Sequence, residues 1–125
     1  MFSHIVLGSN NTEKSKAFYD AIFGALGAGA GTEIAPDRLL YTHNGGSLMV
    51  VKPLDGKPAT FGNGSTIGFA MSSPEALFAW HAAGVANGGT SCEDAPGLRE
   101  AFGAYLAYLR DPDGNKLCAV HRLPQ

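Results

Sequence analysis

His4 to Ala21, HIVLGSNNTEKSKAFYDA, and Thr66 to Ala83, TIGFAMSSPEALFAWHAA, align with each other at an offset of 62 residues. The alignment pairs Ile5 with Ile67, Glu13 with Glu75, Ala17 with Ala79 and Ala21 with Ala83, and it sets Phe18 over Trp80. Identities are few, so the weight falls on a shared transition. Both segments pass from a short alternating strand through a polar helix start into an apolar helix face. Asn11 is the natural N-cap of the first helix. In the second copy either Ser72 with Glu75 forms a capping box, or Ser73 caps with Pro74 at the first helical position. A self-match at a fixed spacing sets the architecture before local propensity does.

A second pairing, at an offset of 69 residues, places NGGSLMVVK (Asn44 to Lys52) over DGNKLCAVH (Asp113 to His121) and matches Gly45 to Gly114, Leu48 to Leu117 and Val51 to Val120. Each is a strand entered from a turn. In RDPDGNKLCAV, Pro112 presets the first central dihedral of the turn, and Gly114 takes the left-handed conformation that closes it. Ala104 to Arg110 is then the first strand of a hairpin. By analogy Arg38 to His43 and Ser47 to Lys52 form its counterpart, after a less defined strand within Gly27 to Ala35. Each half reads strand, helix, strand, strand, strand. The chain is therefore one domain, residues 1–125, with a first module over about 1–53, a connector over 54–64 and a second module over about 65–122.

Alternation divides the side chains between two faces. Ile5, Leu7, Leu48, Val50, Ile67, Phe69, Met71, Leu117 and Ala119 are expected against helices whose inner stripes are Phe18, Ile22, Leu77 and Trp80. His4, Val6, Gly8, Met49, Val51, Thr66, Gly68, Ala70, Cys118 and Val120 fall on the opposite, mixed face. Leu39, Tyr41, His43, Leu106, Tyr108 and Arg110 are expected to join that second group.

The chain has 45% apolar and 16% charged residues and a formal net charge of -2. No electrostatic footprint for nucleic acid or for an anionic membrane surface is present. Neither a signal-peptide start nor a run of about 18 apolar residues occurs, so a cytoplasmic location is expected. Cys92 and Cys118 are too few for a disulfide scaffold and form no CxxC pair.

The opening HIVLGSNNTEKSKAFYDAIFG, with its AFY signature, and the closing YLRDPDGNKLCAV resemble the vicinal oxygen chelate superfamily of glyoxalases, bleomycin-resistance proteins, fosfomycin-resistance enzymes and extradiol dioxygenases. The resemblance covers essentially the whole chain. It implies an α+β fold in which two βαβββ modules form a cupped, eight-strand mixed sheet with helices on the outer face, usually within a homodimer. The pocket in such a fold is built from one chain or from two. The resemblance also implies four metal-ligand positions, one on the first and one on the last strand of each module. Here they fall on His4, Met49, Thr66 and Cys118, where relatives use His or Gln and Glu. Of these, His4 alone matches.

Imidazole and carboxylate ligands with two open positions are what Lewis-acid chemistry on a chelated substrate requires. A hydroxyl and a thioether do not supply that. No cofactor is therefore expected, and a divalent or soft metal bound by a noncanonical set is the alternative. The first reading is a protein that binds a small organic molecule in the cupped sheet through His4, Tyr41, His43, Met49, Thr66, Tyr108, Arg110 and Cys118. The second is a metal-dependent lyase or dioxygenase of the same superfamily, and the third a dimeric interaction module. Catalysis is left open. His4 and Tyr108 are the candidate acid and base for a metal-free reaction.

Each residue also has a structural role to weigh against its functional one. Cys118 reads as a small apolar filler more readily than as a reactive thiol. Tyr108 sits where the resemblance to fosfomycin-resistance members implies a substrate contact, and it equally fills the cup. Arg110 either holds an anionic group or pairs with Asp111 or Asp113. His81 and His121 read as structural. Phe61 and Phe102 lie in loops able to cover the cup.

Overall fold

A computed structural model describes residues 1–124. β1 (Ile5–Gly8) leads into α1 (Thr12–Gly24), followed by β2 (Thr32–Ala35), β3 (Arg38–His43) and β4 (Gly46–Val51). The second half runs β5 (Ile67–Ala70), α2 (Pro74–Ala86), β6 (Thr90–Ser91), β7 (Gly97–Arg99), β8 (Ala104–Arg110) and β9 (Lys116–Arg122). The two offsets read from the sequence hold: β1 and β5, and α1 and α2, start 62 residues apart, and the equivalent partners Leu48 and Leu117 are 69 apart.

Both helices start where their caps predict. The Asn11 side chain accepts the Lys14 N–H at 3.1 Å, and Ser73 Oγ accepts the Ala76 N–H at 3.0 Å with Pro74 in the first turn. Their inner stripes, Phe18, Ile22, Leu77 and Trp80, are fully buried. They share a single core with Leu39, Tyr41, Leu48 and Val50 from the first half and Leu109, Leu117 and Ala119 from the second. Close helix approach depends on Gly84, where an added Cβ would lie 2.3 Å from Leu109 Cδ1 and 3.2 Å from Ile22 and Phe18. Among the described residues no helix is long and apolar enough to cross a membrane.

The strands form two sheets, ordered β1-β4-β3-β2 and β5-β9-β8-β6, with β7 also pairing β8. β1 and β5 are thus edge strands, each bonded on one side, to β4 and β9 respectively. Among the described residues the expected eight strands become nine, because the strand between α2 and β8 is broken into β6 and β7. Gly97 to Arg99 pairs one end of β8 while Thr90 and Ser91 pair the other.

One face assignment is overturned. Leu39, Tyr41 and His43 were expected beside Met49 and Val51, but Leu39 pairs with Val50, Tyr41 with Leu48 and His43 with Gly46, which puts all three on the helix side. Leu40 and Arg38 take the places opposite Met49 and Val51. The cause is turn length. Asn44 (φ 48°) and Gly45 (φ 82°) make a two-residue loop, with the positive dihedrals that tight hairpins favour. An even loop pairs odd-numbered with even-numbered residues. Five residues, 111–115, separate β8 from β9, so Leu106 pairs with Val120, Tyr108 with Cys118 and Arg110 with Lys116, as expected. The counterpart of Tyr108 is Leu40, and Tyr41 corresponds to Leu109.

The β8–β9 turn is also where the halves are joined. The buried Asp111 carboxylate accepts the Tyr19 hydroxyl of α1 at 2.6 Å, the backbone N–H groups of Asp113 and Asn115, both at 2.9 Å, and Asn115 Nδ2 at 2.8 Å. Burial pushes this carboxyl up, and the Tyr19, Asn115 and Asp113 donors pull it back part of the way. Leaving one of these acceptor positions unfilled in the interior costs about 1–3 kcal/mol. Tyr19→Phe is accordingly expected to lower the unfolding free energy by that amount in urea titrations at neutral pH with an unchanged m-value; wild-type stability in this variant would show the hydroxyl to be dispensable.

Candidate functional site

Of the four positions that the resemblance implies, Met49 and Cys118 lie within strands, on the face opposite the helices. Met49 lies in register with Val6 on β1, and Cys118 with Gly68 on β5. His4 precedes β1 and is exposed, with Nδ1 at 2.7 Å from the Ser3 hydroxyl, and Thr66 is likewise exposed just before β5. Cys118 is buried and its thiol donates to the Ala119 carbonyl at 3.5 Å. Burial pushes that thiol up, so the neutral S–H form is the one favoured. Among the described residues no three His, Cys, Asp or Glu side chains converge. A thioether, an alcohol and a protonated thiol beside one imidazole do not fit a hard divalent ion.

Cys118 belongs to a small second cluster with Ala104 and Leu106, packed by Tyr108 and Val120. Burial, followed by the neighbouring Cys118, pushes the Tyr108 phenol up, so it stays protonated at neutral pH. The Lys116 ammonium lies 5.0 Å from the Tyr108 ring centroid and pairs with Glu93. Arg110 donates to the Gly114 carbonyl at 2.8 Å, and its guanidinium stacks 5.2 Å from the Phe61 ring centroid. The sequence alternative of an Arg110 pairing with Asp111 or Asp113 is replaced by these two contacts. His81 bonds the Ser91 hydroxyl at 3.0 Å, and His121 Nδ1 lies 2.9 Å from the Met71 carbonyl, so both act in the scaffold.

A cleft of about 360 Å³ opens elsewhere, along the edges of β1 and β5. Ile5, Phe23, Leu26, Tyr41, Leu48, Ile67 and Phe69 form its apolar lining, and His4, His43, Asn44 and Ser47 add polar groups. It collects three of the residues singled out from the sequence, His4, Tyr41 and His43, whereas Met49, Thr66, Tyr108, Arg110 and Cys118 do not line it. Phe23 and Phe69 were missed as site residues. Alternation correctly turns Phe69 inward, but a space between two sheet edges leaves no trace in the period of either strand.

Three rings in the lining hold one another. Phe23 stacks on Tyr41 with centroids 4.9 Å apart at 14°, and it meets Phe69 edge-on at 5.7 Å and 87°. The Tyr41 hydroxyl is fixed outside the cleft by Asp20 Oδ1 at 2.7 Å. Asp20 also accepts the Gly31 N–H at 2.9 Å and pairs with Lys16 at 2.6 Å. Burial tends to raise the Asp20 carboxyl, but the bonds from Lys16, Gly31 and Tyr41 prevail and hold it below its ordinary value. Tyr41 is pushed well above the usual phenol range by burial and by that same carboxylate.

Comparison with known proteins places this geometry. The family model described as Glyoxalase/Bleomycin resistance protein/Dioxygenase superfamily matches residues 1–119. The chain is 55% identical to a glyoxalase/bleomycin resistance protein from Albidiferax ferrireducens T118, with a TM-score of 0.93 over 98% of this chain and 99% of that one. At 22% identity, a glyoxalase-related enzyme from Fulvimarina pelagi shares the fold with a TM-score of 0.77, over 98% of this chain and 88% of that one. A lactoylglutathione lyase from Agrobacterium tumefaciens does so at 17% identity and a TM-score of 0.69, over 97% and 92%. No curated protein matches the sequence.

The lowered Asp20 carboxyl has a defined sign. Its contribution to stability is complete above the unfolded-state value of 3.8 and is lost as pH falls from there through the lower folded value. Urea midpoints measured from about pH 5 down to about pH 2 are expected to fall less steeply in Asp20→Asn than in the wild type. Equal slopes would mean that the Lys16, Gly31 and Tyr41 contacts do not bias its ionisation.

Proposed function

The chain belongs to the Glyoxalase/Bleomycin resistance protein/Dioxygenase superfamily, and from that premise we propose that it binds a small organic molecule without the divalent metal of the metal-using relatives. The molecule seats in the cleft between β1 and β5. The observation that carries this reading is the cleft itself, about 360 Å³ with mainly apolar walls that include Phe23, Tyr41 and Phe69, and with two imidazoles in its lining. Small-molecule sites are concave, mostly apolar and edged by a few polar groups, with volumes of roughly 300–1,000 Å³. Pre-set rings add affinity, because little side-chain freedom is lost when the ligand arrives. His4, with Nδ1 held by Ser3, offers Nε2 to a ligand hydroxyl or carbonyl. Tyr108 and Cys118 act in this reading as packing on the open face.

A thermal-shift screen with one- and two-ring compounds tests the proposal. Ligand at about 100 times its Kd stabilises by about 2.7 kcal/mol, which for a chain of this size raises Tm by on the order of 10 °C. Gly46→Leu supplies the control. Gly46 pairs with His43 on the cleft side, and an added Cβ meets nothing closer than the His43 carbonyl at 3.6 Å, so the larger side chain fills the cleft without straining the hairpin. The shift is expected in the wild type and not in Gly46→Leu. Equal shifts would move the site elsewhere, and no shift with any compound would end the binding reading. Elemental analysis of protein purified without an affinity tag is expected to give substoichiometric nickel, zinc, iron and manganese; full occupancy by any of them would restore a metal-dependent function.

A further inference from the structure

Trp80 is the one tryptophan of the chain, and it is fully buried on the inner face of α2. Its indole N–H has no hydrogen-bond partner in the protein, and among the described residues it is the only buried side-chain nitrogen or oxygen in that state. An indole nitrogen is a donor and nothing else, and leaving a buried donor unpaired costs about 1–3 kcal/mol. Packing does not require that cost. The 62-residue repeat sets Phe18 at the equivalent place in α1, equally buried, so a plain benzene ring fills the corresponding position of the other half. The nitrogen of Trp80 is an addition that packing leaves unexplained, and a buried donor of this kind calls for a partner from outside the chain.

The cleft lies one ring away. Phe69 lines it and packs against the Trp80 ring, with centroids 6.2 Å apart at 48°, whereas Trp80 itself is not a lining residue. Phe69 is half-buried and stands on an edge strand, since β5 is bonded to β9 alone, and its neighbours Gly68 and Ala70 are exposed. The only side chain between the cleft and the indole that the ring contacts identify is thus one that the core encloses incompletely.

Resting on the binding function proposed above, we infer that the ligand of the cleft carries a carbonyl oxygen at its inner end, which displaces the Phe69 ring and accepts the Trp80 N–H. Phe69 is then a gate, seen here in its closed position, and Trp80 the polar anchor behind it. A carbonyl suits this place better than a hydroxyl. The indole is set in the apolar core, and a hydroxyl that accepted its N–H would bury a proton of its own with no acceptor. The imidazoles of His4 and His43 remain for a second polar group of the ligand. Filling the empty acceptor position is what separates a carbonyl compound from a hydrocarbon of the same shape, by about tenfold in affinity.

A single tryptophan makes the test direct, because the isotope-labelled full chain gives one indole cross-peak in a proton–nitrogen correlation spectrum. The probes are 2-acetylnaphthalene and 2-ethylnaphthalene, which share a shape and differ in the carbonyl oxygen. The ketone is expected to bind about tenfold more tightly by isothermal titration and to move the indole peak downfield of its position with the hydrocarbon. Trp80→Phe, for which Phe18 is the precedent, is expected to equalise the two affinities, and Gly46→Leu to abolish both the binding and the peak movement. Equal affinities in the wild type, or a ketone preference that survives Trp80→Phe, overturn the anchor while the cleft remains a binding site. Should Trp80→Phe fail to fold, the wild-type spectrum decides, and one peak position with both probes overturns the anchor. Peak movement that persists in Gly46→Leu overturns entry through the cleft. If neither probe binds while the broader compound screen yields other ligands, the carbonyl assignment falls; if that screen also gives no shift, the binding function falls with it.

Discussion

A buried carboxylate bonds the two halves of this protein to each other across the core they share. Asp111 sits in the β8–β9 turn, yet it accepts a hydrogen bond from Tyr19 on α1 of the other half. Its neighbours repeat the pattern. Asp113 accepts the Asn10 N–H at 2.8 Å and the Ser15 hydroxyl at 3.2 Å, and Asn115 Nδ2 reaches the Gly8 carbonyl at 3.2 Å. The Arg-Asp-Pro-Asp-Gly-Asn turn is thus a polar clamp over the C-terminal end of β1 and the start of α1. Such a network favours one arrangement of the halves, because any shift leaves several buried groups without partners. The same strand whose Gly8 end is clamped lends Ile5, at its other end, to the cleft. Position of the site and integrity of the fold are set by the two ends of one four-residue strand.

Most of the scaffold was legible in the sequence because it depends on local chemistry. Asn11, Ser73 and Pro74 mark helix starts, and the turn at Pro112 and Gly114 marks a hairpin; in each case a side chain or a dihedral acts within a few residues. The internal match between His4–Ala21 and Thr66–Ala83 then supplied the long-range order. What the sequence did not reveal was β3 register. Analogy with the second hairpin carried Tyr41 to the wrong face, because the repeat does not preserve loop length and side-chain direction depends on whether that length is odd or even. The split between β6 and β7 escaped for a related reason. Both are very short and owe their pairing to β8 rather than to a pattern of their own.

The site was less legible than the fold. His4 and His43 were picked out as polar residues near strand ends, and Tyr41 as a strand aromatic, although its ring enters the lining from the helix side. Phe23 is a helix residue of the core and Phe69 a strand residue of the core, and neither carries a mark that separates packing from ligand contact. They become wall residues because β1 and β5 are both edge strands, bonded on one side each, and that is a property of the assembled sheets. The face opposite the helices, which the resemblance singled out, keeps a methionine and a cysteine at the last-strand positions and a tyrosine beside the cysteine, and there Cys118 and Tyr108 pack with Ala104, Leu106 and Val120.

The two-residue turn at Asn44 and Gly45 bears on how the two halves differ. In a repeated chain, substitutions alter a face one side chain at a time, whereas a change of one residue in a hairpin loop exchanges the inward and outward sets of a whole strand. The loops after β3 and β8, of two and five residues, differ in parity. The odd loop directs Tyr108 to the open face beside Cys118, and the even loop directs Tyr41 inward to Asp20. Within each hairpin, the parity of the loop decides whether its tyrosine faces the surface or the interior.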